Sequence, residues 1–222
     1  MNWVGKFRAC VAISVLVIGG SAICNIVAEY ERPAPFPIPI SRNANASPMI
    51  TISSAERAAA VAPFRSDLKA QYALALTNQS LASQGSLQAN NNENAQSAVR
   101  SAIRLGPHNA AMWLALALLQ AQANIDDPQI AESLKMSYFT GPNQKELIPS
   151  RLDIATASNT LGDPDLKELA GGDVRTILLR YPDQRQFLIG DYRRGSAEGK
   201  TFLEETVKSV DPQFLDTLRK TN

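Results

Sequence analysis

The chain has few of the residues on which metal sites and disulfide frameworks depend. Its 222 residues include one histidine and two cysteines, and the formal net charge is only +1. Two cysteines exclude a disulfide-built scaffold, and the near balance of charge argues against a nucleic-acid partner. The hydrophobic fraction of 45% is high enough to build a core, so disorder throughout the chain is excluded.

The sequence also lacks the short motifs by which common enzymes are recognised. There is no H-E-x-x-H, no P-loop and no G-x-S-x-G. A metal site needs several ligands, and His108 stands alone in a turn between predicted helices. The pairs Asp126-Asp127 and Asp163/Asp165 lie beside prolines, where capping of a helix N-terminus is the expected role. We therefore predict no catalytic residue, no metal site and no cofactor, and we do not expect an enzyme.

One uninterrupted apolar run determines the expected topology. It begins at Ala9 and ends at Ala28, and none of its twenty residues is charged. As a helix it is about 30 Å long, which matches the hydrocarbon core of a bilayer. Lys6 and Arg8 precede the run, and the positive-inside rule then places the N-terminus in the cytoplasm. We predict that residues 1–28 are a cytoplasmic tip and a transmembrane signal-anchor. The alanine-rich composition suggests a bacterial inner membrane, with the remaining residues in the periplasm.

A cleaved signal peptide is the alternative interpretation of the same run. Gly20-Ser21-Ala22 offers the small residues of a cleavage site, and cleavage would release a secreted protein. The apolar run continues through Ile23 and Val27, however, which favours an uncleaved anchor.

A proline-rich segment separates the apolar run from the rest of the chain. Prolines at 33, 35, 37 and 39 exclude a helix and a central strand, and they favour an extended polyproline II spacer. We predict a linker over residues 29–50. Its expected role is a stalk between membrane and domain, and a docking ligand is the alternative.

From Ile50 onward, apolar residues recur with the period of an α-helix. The pattern predicts helices over residues 53–62, 66–83, 93–105, 110–124 and 128–138, with a polar, asparagine-rich loop at 84–92. The helix over 110–124 is apolar on nearly every side, so we expect it to be buried between neighbours. No run alternates in the manner of a strand, and the predicted fold class is all-α.

Two Gly-Pro turns mark a repeat. Gly106-Pro107 and Gly141-Pro142 lie 35 residues apart, close to the 34-residue period of the tetratricopeptide repeat. That repeat opens on W-x₂-L-G-x₂-Y and closes on A-x₃-F followed by proline. Here Trp113, Leu116 and Ala117 match the opening, with alanine in place of glycine.

The closing half of the repeat is matched twice. Ile130 and Leu134 precede Pro142, and upstream Ala95-x₃-Val99-x₂-Ala102 precedes Pro107. On these residues the chain resembles a tetratricopeptide-repeat protein over residues 66–142. A generic helical bundle is the alternative. Three positions depart from the pattern, because Gln120 replaces tyrosine, Ile130 a small residue and Leu134 an aromatic one.

The resemblance implies a solenoid of antiparallel helix pairs over residues 51–170, whose concave face binds a peptide or protein partner. First helices of each pair form that face, which would draw on Gln71, Asn78, Asn109 and Gln120. The leading functional hypothesis is a non-enzymatic scaffold or assembly factor of the cell envelope, held in the membrane by Ala9–Ala28.

The C-terminal residues 171–222 are predicted to form a helical cap on the solenoid. Gly171-Gly172 is expected to break the chain, and Asp173 to cap a helix over 174–180. Further helices are predicted over 147–160, 164–170, 184–192, 195–209 and 212–220. Arg193 and Arg194 are a candidate anion-binding pair, and the alternative function is an accessory subunit of a polysaccharide or lipid-processing machine that binds an anionic glycan.

Overall fold

The computed structural model describes residues 3–32 and 50–220. Within these residues the chain is helical throughout and contains no strand, so the all-α prediction is confirmed for them. The helices are α1 Trp3–Tyr30, α2 Ile50–Val61, α3 Ser66–Ala82, α4 Ser86–Leu105, α5 Ala110–Ala123, α6 Gln129–Thr140, α7 Ile148–Ala157, α8 Pro164–Arg180, α9 Arg185–Arg194, α10 Ala197–Val210 and α11 Pro212–Lys220. Short 3-10 helices cover Lys145–Leu147, Asn159–Gly162 and Pro182–Gln184.

Helix α1 is the one described helix long and apolar enough to cross a membrane. Its most apolar stretch, within Gly5–Tyr30, is not buried by any other part of the described residues. Two of its polar side chains are satisfied inside the helix, because Ser14 donates to the Cys10 carbonyl and Asn25 to the Ser21 carbonyl. Such internal bonds reduce the cost of placing polar groups in lipid.

The predicted linker lies outside the described residues from position 33 to 49. The described residues on its two sides are in contact. Ala28, at the end of α1, is fully buried in a small apolar cluster with Ala58, Ala62 and Leu68. The helices that begin at Ile50 are therefore packed against the end of α1.

Helices α3 to α6 form two pairs that are built in the same way. The end of α4 returns to the start of α3, where a Cβ added to Gly106 would lie 3.2 Å from Ser66 Cβ. The end of α6 returns to the start of α5, where a Cβ on Gly141 would lie 2.6 Å from Ala110 Cβ. Each Gly-Pro turn thus places its glycine at a close approach of two helices, which is tight for a side chain at Gly106 and too close for one at Gly141.

Helix α5 lies between two hydrophobic clusters. Leu114 and Leu118 belong to the larger cluster, which continues through α6 to α11, whereas Met112, Leu116 and Leu119 belong to the cluster formed with α2, α3 and α4. The prediction that this helix is buried on nearly every side is confirmed.

The asparagine-rich loop predicted at 84–92 is wrong. Only Gln84 and Gly85 lie outside a helix there, Gly85 with a positive φ of 70°, and α4 begins at Ser86. The low helix propensity of asparagine is outweighed by tertiary contacts. Asn92 is buried and donates 2.8 Å hydrogen bonds to the Leu119 carbonyl and to Gln122 Oε1 of α5.

The expected break at Gly171-Gly172 is also wrong, and so is the expected cap at Asp173. Helix α8 is continuous from Pro164 to Arg180, so the boundary placed at 171 falls inside a helix. A buried apolar stripe that includes Ala170, Val174 and Ile177 continues past the glycines and holds them in helical geometry. The cap of α8 is Asp163, which accepts hydrogen bonds from the amides of Asp165 and Leu166, as predicted.

Candidate functional site

Sites of metal or acid-base chemistry are scarce in the part of the chain that the structure describes. Within residues 3–32 and 50–220, no group of three or more histidine, cysteine, aspartate or glutamate residues could hold a metal ion. His108 is exposed in its turn. The candidate site is therefore sought among surfaces shaped for a partner.

The four residues predicted for the concave face are largely engaged in the fold. The Asn109 side chain caps α5 by accepting from the Ala111 amide, and Gln120 is buried with its amide 3.3 Å from Gln129 Oε1. Asn78 is buried and Gln71 is half-buried. They do not form a shared exposed surface, and a role for them in partner binding stays a prediction.

The two arginines of the candidate anion site differ in their surroundings. Arg194 lies 2.8 Å from Asp153 Oδ1 and 2.9 Å from Asp191 Oδ1, and both carboxylates are buried. A guanidinium already shared by two carboxylates has little attraction left for a further anion. Arg193 beside it is exposed. Anion binding here stays a prediction.

A groove of about 630 Å³ lies between α6 and α8. Its floor contains Tyr138 and Asp173, which are buried, and its rim contains Phe139, which is 64% exposed. The complete lining is Tyr138, Phe139, Pro142, Asp165, Glu168, Leu169, Gly172, Asp173, Arg175 and Thr176.

Arg151 of α7 supports this floor from behind. Its Nη2 donates to the carbonyls of Ser137 at 2.5 Å and of Gly141 at 2.9 Å, and its Nε donates to Ser137 Oγ at 3.1 Å. The guanidinium carbon lies 4.4 Å from the centre of the Tyr138 ring. Arg151 therefore fixes the last turn of α6, from which Tyr138 and Phe139 extend.

Three polar atoms of this cluster make no hydrogen bond of normal geometry with any residue that the structure describes. They are Tyr138 Oη, Asp173 Oδ2 and Arg151 Nη1. A buried polar atom without a partner costs free energy, which a water molecule, an ion or a bound partner recovers when it supplies the missing hydrogen bond. Tyr138 and Asp173 line the groove, so a bound partner is able to supply the missing hydrogen bonds.

Burial changes the acidity of both groups in the floor. It raises the pKa of Asp173 to about 6. The Tyr138 hydroxyl and Arg151 partly offset this rise, because both favour the charged carboxylate. Burial and the neighbouring Asp173 raise the pKa of Tyr138 well above its ordinary value. At neutral pH the floor therefore presents a hydroxyl donor and a predominantly ionised carboxylate.

The rim makes the groove acidic. Asp165 and Glu168 are exposed beside Asp173, and Arg175 is the one basic residue of the lining. Gly172 leaves this surface open, because a Cβ there would meet only the Arg175 side chain, at 3.9 Å. The groove thus combines an exposed aromatic ring with an excess of negative charge.

A second cleft, of about 810 Å³, runs along α4 and the end of α5. Its polar side chains bind one another: Gln96 donates to Asn92, and Ser80 and Asn92 both donate to Gln122. Arg100 joins this network, because its Nη2 donates to Gln96 Oε1 at 3.4 Å. These hydrogen bonds hold α4 against α3 and α5. Because these side chains already bond one another, the cleft favours a bound partner less than the α6–α8 groove does.

Sequence reasoning missed the residues of the α6–α8 groove. Asp173 was expected to cap a helix, and neither Arg151 nor Tyr138 lies in a motif with a chemical meaning. Gly172 was expected to break the chain, Pro142 to mark a repeat and Asp165 to lie at a helix N-terminus. Comparisons with protein-family models, with curated proteins and with solved structures found no match to the chain.

Proposed function

We propose that this protein is a non-enzymatic interaction protein, anchored by α1 in a bacterial inner membrane with its helical domain in the periplasm. The length and apolar character of α1 support the anchor. The two equivalent turns at Gly106 and Gly141 support a tetratricopeptide-like arrangement of α3 to α6. Ser80, late in α3, bonds Gln122, late in α5, which is consistent with first helices that run in the same direction.

The proposed binding site is the α6–α8 groove. The observation that carries this proposal is the pair of buried polar groups, Tyr138 Oη and Asp173 Oδ2, whose hydrogen bonding is incomplete within the described residues, beside the exposed Phe139 ring. Charge complementarity selects the partner. A protein segment with an apolar side chain for Phe139, next to a lysine, arginine or amide for Asp173, satisfies both parts of the groove.

The composition of the groove favours binding over catalysis. Its lining holds neither histidine nor cysteine, the residues most often used for proton transfer and nucleophilic attack. An interaction site needs only shape, exposed apolar area and complementary charge, all of which the groove supplies.

The test is site-specific photocrosslinking in native membranes. A photoreactive amino acid at position 139 of the full chain, with a tag after Asn222, is expected to capture one protein reproducibly. Gly172→Leu fills the groove without touching the core and should abolish capture. Leu179→Ser is the matched control, because Leu179 is 70% exposed on the same helix but outside the groove.

The outcomes separate the hypotheses. Capture that is lost with Gly172→Leu, kept with Leu179→Ser and weakened by salt supports the groove as the site. Capture that survives Gly172→Leu places the partner elsewhere, and recovery of glycan alone favours the polysaccharide-machine alternative. Turnover of a substrate by the purified protein would contradict a non-enzymatic role.

A further inference from the structure

We infer that the turn between α2 and α3, which contains Pro63 and Phe64, inserts into the membrane interface beside the outer end of α1. This inference rests on the proposed crossing of the membrane by α1. It adds a second membrane contact, which determines how the helical domain is oriented on the bilayer.

The length of α1 gives the depth of its outer end. Trp3 and Tyr30 are separated by 27 residues, or about 40 Å of helix. This spans a bilayer with its headgroup regions, which is about 40–45 Å thick. Trp3 stacks on Phe7 at one end, and Tyr30 is 89% exposed at the other. Aromatic residues are enriched at both interfaces of a membrane, so Tyr30 lies at the level of the outer headgroups.

Ion pairs hold the α2–α3 turn at this level. Arg65 directly follows Phe64, and its Nη1 lies 3.0 Å from Oε2 of Glu29, the neighbour of Tyr30. One helix turn before the end of α2 at Val61, Arg57 lies 2.9 Å from Oε2 of Glu31. The apolar contact of Ala28 with Ala58 and Ala62 lies between these two pairs. These contacts place the turn that carries Phe64 beside the end of α1 that carries Tyr30.

Phe64 itself is left uncovered by the fold. Its side chain is 88% exposed, although a phenylalanine gains free energy when it leaves water. Pro63 fixes the backbone before it, and the Arg65 amide bonds back to the Ala62 carbonyl at 3.1 Å, so the turn is tight. An exposed ring on a tight turn at interface depth is placed to enter the lipid rather than a pocket of another protein.

The charges around the turn indicate which lipid property is recognised. Arg32, Arg57 and Arg65 are paired with Glu29, Glu31 and Asp67. These three arginines and three carboxylates carry no net charge together, so they are not attracted to anionic headgroups. The contact should depend on the apolar interface and be insensitive to salt.

Spin-label depth measurement tests the inference on the full chain. The protein, with Cys10→Ser and Cys24→Ser, is reconstituted in vesicles of phosphatidylethanolamine and phosphatidylglycerol. A nitroxide is attached through Phe64→Cys, and separately through Ile18→Cys in the middle of α1 and Leu179→Cys on α8. Collision with oxygen reports lipid, and collision with a water-soluble nickel complex reports solvent. Circular dichroism checks that each variant is folded.

We expect the oxygen-to-nickel accessibility ratio at position 64 to be several-fold higher than at position 179 and unchanged by salt. Position 18 reports on α1 alone. A lipid signal at 18 with an aqueous signal at 64 overturns this inference and leaves the anchor in place. An aqueous signal at 18 overturns both. A lipid signal at 64 that disappears in high salt contradicts apolar insertion and indicates an electrostatic contact instead.

Discussion

The guanidinium of Arg151 lies over the ring of Tyr138, with its central carbon 4.4 Å from the ring centre, while its nitrogens bind the final carbonyls of α6. One side chain of α7 thus closes the end of α6 and supports the floor of the α6–α8 groove. The cation lies at the negative end of the helix macrodipole and adds a second donor to carbonyls that also accept hydrogen bonds from the backbone amides of Gly141 and Gln144. The stability of the domain and the shape of its proposed binding site therefore depend on the same residue.

Arg151→Ala should destabilise the protein by about 3–5 kcal/mol. The substitution leaves the carbonyls of Ser137 and Gly141 without their buried donor and opens a cavity under Tyr138. Arg151→Lys keeps the charge but cannot reproduce the geometry of the guanidinium, so an intermediate loss is expected. The measurement is urea unfolding of the full chain in detergent.

Arg180→Ala is the control for that series. Arg180 is exposed at the end of α8 and should change stability by no more than about 0.5 kcal/mol. Equal effects of Arg151→Ala and Arg180→Ala would contradict the supporting role given to Arg151.

Asp173→Asn should stabilise the protein above pH 6 and have no effect on its stability near pH 4. Burial raises the pKa of Asp173 from 3.8 in the unfolded chain to about 6 in the fold. The folded state therefore binds the proton more tightly, and the stabilisation present below pH 4 is lost as the pH rises through 6. This pKa shift corresponds to a loss of about 3 kcal/mol at most in the free energy of unfolding.

The check is thermal unfolding of wild type and Asp173→Asn between pH 4 and 8. The difference between the two curves should grow from pH 4 to pH 6 and then level off. A constant difference would show that Asp173 keeps an ordinary pKa. If the carboxylate binds a cationic side chain of the partner, Asp173→Asn should weaken partner capture at pH 7 although it stabilises the fold.

The sequence predicted the features that depend on neighbouring residues and missed those that depend on contacts between distant ones. Helix α5 and the two Gly-Pro turns were predicted because their signals are local, in apolar periodicity and in chain-terminating residues. Asn92 was placed in a loop because its helical state depends on bonds to α5, which is distant in sequence. Gly171 lies within α8 because packing against α7 and α10 outweighs its low propensity.

The candidate groove was beyond prediction for the same reason. Arg151, Tyr138 and Asp173 come from three helices, and each alone has an ordinary interpretation as a surface charge, a core aromatic or a cap. Only the folded chain shows that they are buried together. By contrast, the exposure of Phe139 and Phe64 depends on which faces of the helices are left uncovered, a property that periodicity alone leaves open.

Arg194→Ala should cost roughly 3 kcal/mol, because it leaves the buried carboxylates of Asp153 and Asp191 without the cation that they share. Arg193→Ala, at the adjacent exposed position, should cost far less. Chemical unfolding of the two variants makes the comparison. If Arg194 serves mainly to bind an external anion, the two variants would be similarly stable and anion binding would be lost only in Arg194→Ala.

Gly199→Ala should be among the most damaging single-methyl changes in the chain. A Cβ at this position of α10 would lie 1.9 Å from the Thr156 carbonyl oxygen, which already accepts hydrogen bonds from the Ser196 amide and hydroxyl. Backbone on both sides prevents relief, so α10 must move away from α7, at a cost of several kcal/mol. At Gly162 a Cβ meets nothing within 4 Å, and alanine there should be neutral or stabilising by about 0.4–1 kcal/mol. Melting temperatures of the two variants test the pair, and a tolerated Gly199→Ala would show that α10 is not held against α7 at this carbonyl.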